Sequence, residues 1–492
     1  MPDLPDRLRD ALVAADFTYD AVAELLGPEA HAALGRNETT PGLRRTAEGS
    51  PLATLTRLFL LQSRVPHAQV ERALPGLVGE LAAEGFVDQG GDEVAARLDV
   101  RPYAADGRDL WVVSDLTPGL DGAPQQVGAS HVLGISPAAT SLAQLTIREP
   151  VGRALDLGTG CGVQALHLTT HADHVVATDV NPRALWVTRF NLALNEVAAG
   201  QVDVRDGSFF EPVAGETFDL VTTNPPFVIS PATEERLVYR DSGLPGDAVV
   251  EHVVRTAPRH LAPGGWCQVL ANWVIARDTP WDERLAGWID DDCDALVVQR
   301  ETLDPAAYVE LWLKDAGRHG GVEGMRRYDE WLAWFDAEQV EAIGFGWINL
   351  RRHEKPGQPR RELLHWPYDV EQPIAPAVGE WARDQAALPD DEDEALRGLR
   401  LVTRPDVVQE TRGAPGAADP ETIVLRRQLG LRRAEQATTA EAALVGACDG
   451  DLTVGQIVAA LAQLLDRDAG ELAAELLPRV RKLAAAGFLG VA

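Results

Sequence analysis

Four cysteines (Cys161, Cys267, Cys293 and Cys448) are scattered over 492 residues, and no two form a Cys-x-x-Cys pair. Such spacing argues against a disulfide framework and offers no zinc site, so no metal is expected. Lysine is nearly missing, with only Lys314, Lys355 and Lys482 in the chain, and arginine carries nearly all the positive charge. The coding bias of a GC-rich genome accounts for that without a functional use of arginine. No run of about 18 apolar residues is present to span a bilayer. The N-terminal stretch MPDLPDRLRD is charged and lacks an apolar core, so no signal peptide is expected. These absences point to a cytoplasmic protein without a membrane partner. Excess positive charge is also lacking. The net charge of −30 repels phosphate backbones at long range, which sets a nucleic-acid substrate at a disadvantage unless a local basic patch offsets it.

What remains is ordinary globular composition, 45% hydrophobic and 24% charged, in a chain long enough for about three domains. Residues 1–126 read as a mainly helical N-terminal domain. Helical stretches around Leu52–Leu61 and Ala68–Glu84 stop at Gly85-Phe86-Val87. Two strand-like runs follow, Val94–Arg101 and Leu110–Ser114, and helices before a hairpin suggest a winged helix. Residues 376–492 repeat the idea, with a helix opening at Thr453 and a longer one from Glu471 to Ala486. Leu483-Ala484-Ala485-Ala486-Gly487-Phe488-Leu489 mirrors Leu81-Ala82-Ala83-Glu84-Gly85-Phe86-Val87. Such modules read nucleic acid or serve packing and dimerisation, and the acidic surroundings favour packing. The cluster Arg426, Arg427, Arg432 and Arg433 could meet phosphate or answer nearby acids. The acidic run Pro389–Glu394 reads as a solvated loop.

Between them, residues 127–375 alternate strand and helix. Strands are expected at 154–158, 174–179, 202–205, 218–223, 265–271, 295–300 and 343–350, with helices such as Pro182–Asn195 and Gly246–Leu261 between them. That alternation predicts βαβ units, a parallel sheet covered on both faces and ligands at the carboxyl ends of the strands.

Three of those strand ends carry the chemistry. The first breaks into Asp156-x-Gly158-x-Gly160-x-Gly162, glycines that let backbone turn sharply and approach a ligand. A dinucleotide site would read Gly-x-Gly-x-x-Gly and keep its helix N-terminus free for pyrophosphate. An acid at the strand end instead suits a cation, such as the amino and sulfonium groups of S-adenosyl-L-methionine. Asp179 ends the second strand about 20 residues on, where an acid bonds ribose hydroxyls. Asp206-Gly207 follows the third strand, placed for the adenine. Past the strand Phe218–Thr223 stands Asn224-Pro225-Pro226-Phe227. Two prolines fix the backbone and leave carbonyls exposed as acceptors, and Asn224 adds a side-chain carbonyl. Two converging acceptors suit a planar NH2 group, with the Phe227 ring to stack on it. No charged base is needed, because methyl transfer from a sulfonium mostly requires in-line positioning.

Residues 130–275 resemble class I S-adenosylmethionine-dependent methyltransferases of the Asn-Pro-Pro-Phe/Tyr type, the release-factor glutamine methyltransferases and the small-domain rRNA N-methyltransferases. The resemblance rests on Leu155–Gly162, Asp179-Val180-Asn181-Pro182 and Asn224–Phe227. Tyr239–Gly243, Gly246-Asp247 and Leu261–Trp266 support it. It implies a seven-stranded Rossmann-like α/β sheet and transfer to an sp2 nitrogen. On this likeness Asp156, Gly158, Thr159, Gly160, Gly162, Asp179, Val180, Asn181, Asp206, Gly207 and Asn224 hold the cofactor. Asn224, Pro225, Pro226 and Phe227 serve the reaction. The continuation Val228-Ile229-Ser230 leans toward the glutamine-methylating form. The acceptor expected is therefore a protein or peptide amide. An rRNA, tRNA or DNA base is the alternative, and a cofactor-sensing regulatory protein is the reading from another class. The flanking domains lie outside the resemblance.

Overall fold

The computed structural model describes all residues except 1–2, 123–126, 129, 227, 232–243, 316–319, 356, 390–392 and 416–419. The chain divides into two compact units, residues 1–143 with 149–365, and residues 144–148 with 366–492.

The first unit is built on an eight-stranded sheet. Its elements, labelled in chain order with the hairpin that precedes them, begin with β1 (Leu98–Ala105), β2 (Arg108–Asp115), α1 (Pro137–Leu145), β3 (Val151–Leu157) and α2 (Val163–Leu168). There follow β4 (Ala172–Asp179), α3 (Pro182–Leu194), β5 (Val202–Asp206), β6 (Phe218–Thr223) and α4 (Ala248–Thr256). The last are β7 (Leu261–Ala276), α5 (Trp281–Ala286), β8 (Cys293–Leu303), α6 (Pro305–Asp315), α7 (Gly321–Ala337), β9 (Val340–Arg352) and β10 (Arg361–His365). The order across the sheet is β10-β8-β9-β7-β6-β3-β4-β5. β3 lies parallel to β4 and to β6, and β7 lies parallel to β6. β9 runs antiparallel between β7 and β8. The seven-stranded class I methyltransferase sheet is thus present, with β10 added beside β8. β10 was not expected, because Arg361–His365 is short and half-exposed and carries no apolar alternation.

The observed strands are longer than the apolar runs suggest. β7 and β9 pair from Trp266–Arg351 to Ile275–Ala342, so the antiparallel ribbon extends past its buried centre. Asp247, just before α4, holds this end of the sheet. Its carboxylate accepts from the Val274 amide at 2.7 Å and from both terminal nitrogens of Arg284 at 2.6 and 2.7 Å. The Gly246-Asp247 pair of the resemblance is therefore a structural anchor.

In the N-terminal segment the expected hairpin is present in part, and a second one precedes it. Val87–Gly90 pairs with Glu93–Ala96, whereas the strand expected over Val94–Arg101 divides near Arg97. Its second half belongs to β1, which pairs with β2 in register Val100 with Val113. The Gly91-Asp92 turn, with Gly91 at φ +64°, closes the first hairpin. Val65–Pro66 completes a three-stranded antiparallel sheet with it.

α3 joins this segment to the large sheet. Asn181 caps it by accepting from the Arg183 amide at 3.0 Å, and Pro182 occupies its first turn. One side carries Ala184 and Val187 into a cluster with Cys161 and Val163. Another carries Trp186, Phe190 and Leu194 into the N-terminal core, where the Phe86 ring lies 4.8 Å from Phe190. A helix apolar on both sides is one buried on both sides.

Among its described residues the second unit has two three-stranded antiparallel sheets and the helices Thr439–Ala447, Val454–Leu464 and Ala469–Ala485, preceded in the chain by the helix Ala375–Ala387. Capping boxes at Thr438/Glu441 and Thr453/Gln456 start the helices Thr439–Ala447 and Val454–Leu464. The glycines of the two matched stretches, Gly85 and Gly487, both take φ +79°, and each precedes a fully buried phenylalanine. The part of the acidic run at Asp393 and Glu394 opens a helix, Asp393–Gly398, in place of the expected loop. Acids at a helix start complement its dipole. Arg426 pairs with Glu410 at 2.7 Å, and buried Arg427 pairs with Asp406 at 2.7 Å and Glu380 at 3.2 Å. These two arginines therefore answer acids. Among the described residues no helix is long and apolar enough to cross a membrane.

Candidate functional site

β3, β4 and β6 end on one edge of the sheet, and the residues beyond them enclose a cavity of about 610 Å³. This is within the range of small-molecule sites. Asp156, Gly158, Thr159, Gly160, Asp179, Val180, Asn181, Gly207, Asn224, Pro225 and Pro226 line it. Gly162 and Asp206 do not. Gly162 takes φ +81° and lets the turn meet α3, since a Cβ there would lie 3.0 Å from the Thr188 side chain. Asp206 ends β5 exposed to solvent, and the next residues, Gly207, Ser208 and Phe209, face the cavity in its place. Phe227 and Tyr239–Gly243 lie outside the described residues.

The glycine turn is open where a ligand would approach. Gly158 and Gly160 have φ of +77° and +57°, and a Cβ on either would meet nothing within 4 Å. Space on a turn of forbidden backbone is what close contact with a ligand requires. Asp179 supports the turn from β4. One of its oxygens accepts from the Gly160 amide at 3.0 Å, the other from the Asn181 amide at 2.9 Å. Burial raises its pKa above the usual range against these bonds. Val180 beside it is 61% exposed and lines the cavity, an apolar face without protein cover that suits a flat base. These features fit S-adenosylmethionine: open backbone for the methionine end, an acid for ribose hydroxyls and an apolar surface for adenine.

Asp156 is 2% exposed, and one oxygen accepts from the Thr159 hydroxyl at 2.6 Å and the Ala165 amide at 3.0 Å. Burial pushes its pKa up to about 7, against the pull of those bonds. The group is largely neutral below pH 7, and a cation in the cavity favours its charged form. Binding of S-adenosylmethionine should therefore release up to about one proton below pH 7 and none well above it, with affinity rising as pH climbs from about 5.5 to 7.5. Calorimetry in buffers of different ionisation heat measures this, and release that persists in Asp156→Asn assigns the proton elsewhere. The sign for folding is separate. An acid with a raised folded pKa contributes most below the unfolded value of 3.8, and that contribution is lost as pH rises toward 7.

At the reaction end, Thr223 donates its hydroxyl to the Leu157 carbonyl at 2.7 Å, tying β6 to β3 one residue before Asn224. The Asn224 Oδ1 is buried and accepts no hydrogen bond among the described residues. A buried acceptor left without a donor costs about 1–3 kcal/mol, so a donor bound at this position would be favourable. Cys161 is packed, with its thiol pushed up to about 11 by burial, and is no nucleophile at neutral pH.

Sequence reasoning missed one support of this end. An aromatic-rich stretch between β8 and β9 forms α6 and α7, and Tyr308, Trp331 and Phe335 pack on Val228 and Ile229. The Tyr308 hydroxyl accepts from the Ile229 amide at 2.8 Å. Its helical spacing advertised a core residue, and nothing in the sequence showed that the hydroxyl would reach the segment after Asn224–Phe227. Tyr308→Phe removes that acceptor and should lower stability by about 1–3 kcal/mol and turnover by about tenfold, leaving cofactor affinity unchanged. Thermal melts, calorimetry and methyl-transfer rates test this, and wild-type turnover in the variant would refute it. The sequence also passed over Phe209, at φ +45°, and Gln164, whose amide donates to Ala139 O at 2.7 Å across the cavity wall.

Comparison with known proteins agrees with this geometry. Residues 135–285 match the family model described as methyltransferase small domain, and residues 14–97 match a domain of unknown function, DUF7059. A release factor glutamine methyltransferase of Xylella fastidiosa is 32% identical over 133 residues, covering 25% of this chain and 47% of that protein. A ribosomal RNA small subunit methyltransferase C of Alcanivorax borkumensis is 29% identical over 151 residues, covering 31% and 39%. The chain spans about half the length of the curated relatives it matches. Among solved structures, a T. thermophilus 16S rRNA N2 G1207 methyltransferase in complex with AdoMet and guanosine aligns at 17% identity and a TM-score of 0.26. That alignment covers 49% of this chain and 63% of that one.

Proposed function

We propose that this chain is a cytoplasmic S-adenosylmethionine-dependent N-methyltransferase acting on a planar sp2 nitrogen, a protein or peptide amide in preference to a nucleic-acid base. The observation that carries the reading is the buried Asn224 Oδ1, which has no donor among the described residues and belongs to the lining of a cavity that also holds Asp179 and the open glycine turn. When bound, the cofactor supplies an electrophilic methyl group on a sulfonium. The protein's own part is orientation. Asn224 Oδ1 and a carbonyl of the Pro225-Pro226 segment accept the two hydrogens of an NH2 group, which leaves the nitrogen lone pair aimed along the transfer axis. The Thr223–Leu157 bond and the two prolines hold those acceptors still.

The amide preference has three supports. Among the described residues no lysine or arginine lines the cavity, whose acids are Asp156 and Asp179. The net charge is −30. Relatives named for release-factor and uL3 glutamine methylation are 32% and 33% identical to this chain over 133 and 126 residues. The deciding experiment incubates the protein with methyl-labelled S-adenosylmethionine and cell lysate, with and without RNase. Label in an RNase-resistant polypeptide is expected. Label that disappears with RNase makes the acceptor RNA.

A further inference from the structure

The N-terminal segment is fastened to the glycine turn through one buried side chain. Asn191, on α3, makes three side-chain hydrogen bonds. Its Oδ1 accepts from the Val113 amide at 2.8 Å, and its Nδ2 donates to the Val113 carbonyl at 2.9 Å and to the Cys161 carbonyl at 2.8 Å. Its backbone carbonyl accepts from the Asn195 side chain at 2.7 Å. The first pair is the pattern by which a neighbouring strand would hold β2. The bond to Cys161 reaches the turn that lines the cavity. One planar amide thus spans a strand that precedes the methyltransferase-like region and the loop that meets the cofactor. Asn195, one turn on, clamps β2 the same way, accepting from the Trp111 amide at 2.9 Å and donating to its carbonyl at 2.7 Å, but bonds nothing in the glycine turn.

A fully satisfied amide in a dry interior fixes the relative positions of its partners, because breaking any one bond strands a buried polar group. We infer that Asn191 is a positioning residue that couples β2 to the glycine turn, so that the N-terminal segment sets cofactor affinity as part of the pocket. The inference rests on the cofactor reading above. It gives the N-terminal segment a role in cofactor binding, distinct from reading a substrate.

Reciprocity supplies the test. In the full-length protein, saturating S-adenosylhomocysteine should slow amide hydrogen exchange in a peptide covering 108–113 by about fivefold or more, together with the turn at 154–162. Asn191→Leu should lose the effect at 108–113, keep it at 154–162, and weaken S-adenosylhomocysteine binding by about tenfold. Asn195→Leu, which loosens β2 without touching the turn, should keep the effect and bind within about twofold of wild type. If Asn191→Leu does not fold, Asn191→Asp keeps the volume and the acceptor for Val113 while removing both donated bonds, and the same losses are expected. Exchange at 108–113 that ignores the ligand in the wild type overturns the inference, as does coupling that survives in either Asn191 variant. Equal weakening by Asn195→Leu overturns it too, since loosening β2 would then suffice. Absence of any slowing at 154–162 in the wild type would instead strike the cofactor reading.

Discussion

Replacing Asn224 by alanine should lower methyl transfer by about a thousandfold while S-adenosylhomocysteine binds within about twofold of wild type. The split follows from where the side chain's bonds go. Asn224 gives its Oδ1 to no donor among the described residues, so its removal breaks no bond that shapes the glycine turn or Asp179. The fold should hold for the same reason, since Thr223, Pro225 and Pro226 keep β6 and the following turn in place. On the proposed function, what disappears is an acceptor that orients the reacting nitrogen. Misplaced approach is costly in a transfer whose catalysis is chiefly alignment. Asn224→Asp, which keeps an acceptor at the same reach, should recover part of the loss. Calorimetry with S-adenosylhomocysteine and label transfer to the lysate acceptor measure the two halves separately. Full turnover in Asn224→Ala would remove the residue from the reaction, and lost cofactor binding would make it part of the cofactor site.

The strand ends could be read in advance because each is punctuated by residues with few other uses. Glycines at alternate positions after a buried strand demand positive φ, and Gly158, Gly160 and Gly162 all adopt it. Asn224-Pro225-Pro226 is as explicit, since two prolines forbid continuation of β6. The central strands were legible because their apolar runs are buried on both faces, and their ends were less so because β7 and β9 carry on as a ribbon beyond the buried run. Contacts made over long sequence separations left no such mark. Asn191 and Asn195 stand four apart on a helix, a spacing that shows they share a face but cannot show that the face meets β2, some 80 residues away. Tyr308 is the same case, an aromatic at core spacing whose hydroxyl serves a loop 79 positions earlier. Asp206 shows the opposite limit. It follows a strand as Asp179 does, yet its side chain is exposed and Gly207 takes its place at the cavity. Position along a strand end thus narrows the candidates to two neighbours, and the pleat decides between them.

That contrast yields a second large effect. Asp179→Ala should weaken S-adenosylhomocysteine binding by about a hundredfold, whereas Asp206→Asn should change it by less than about twofold. Two charge-assisted bonds from ribose hydroxyls to a carboxylate account for about 3 kcal/mol, a hundredfold in affinity, before any disorder of the protein is counted. Asp179 also organises its own surroundings. Losing it leaves the Gly160 and Asn181 amides without their acceptors, at the turn that lines the cavity and at the start of α3. The Asp179→Asn variant separates these contributions. It retains one acceptor and the side-chain volume but gives up the charge, and should fall between wild type and alanine. Since burial raises the Asp179 pKa, ligand hydroxyls donating to it should draw that pKa down, so the affinity lost in Asp179→Asn should grow as pH rises through the range in which the free carboxyl titrates. Titrations of all three variants with S-adenosylhomocysteine decide the matter. If Asp206→Asn weakens binding as much as Asp179→Ala, the ribose is held from β5 and the cofactor lies differently along this edge than the cavity suggests.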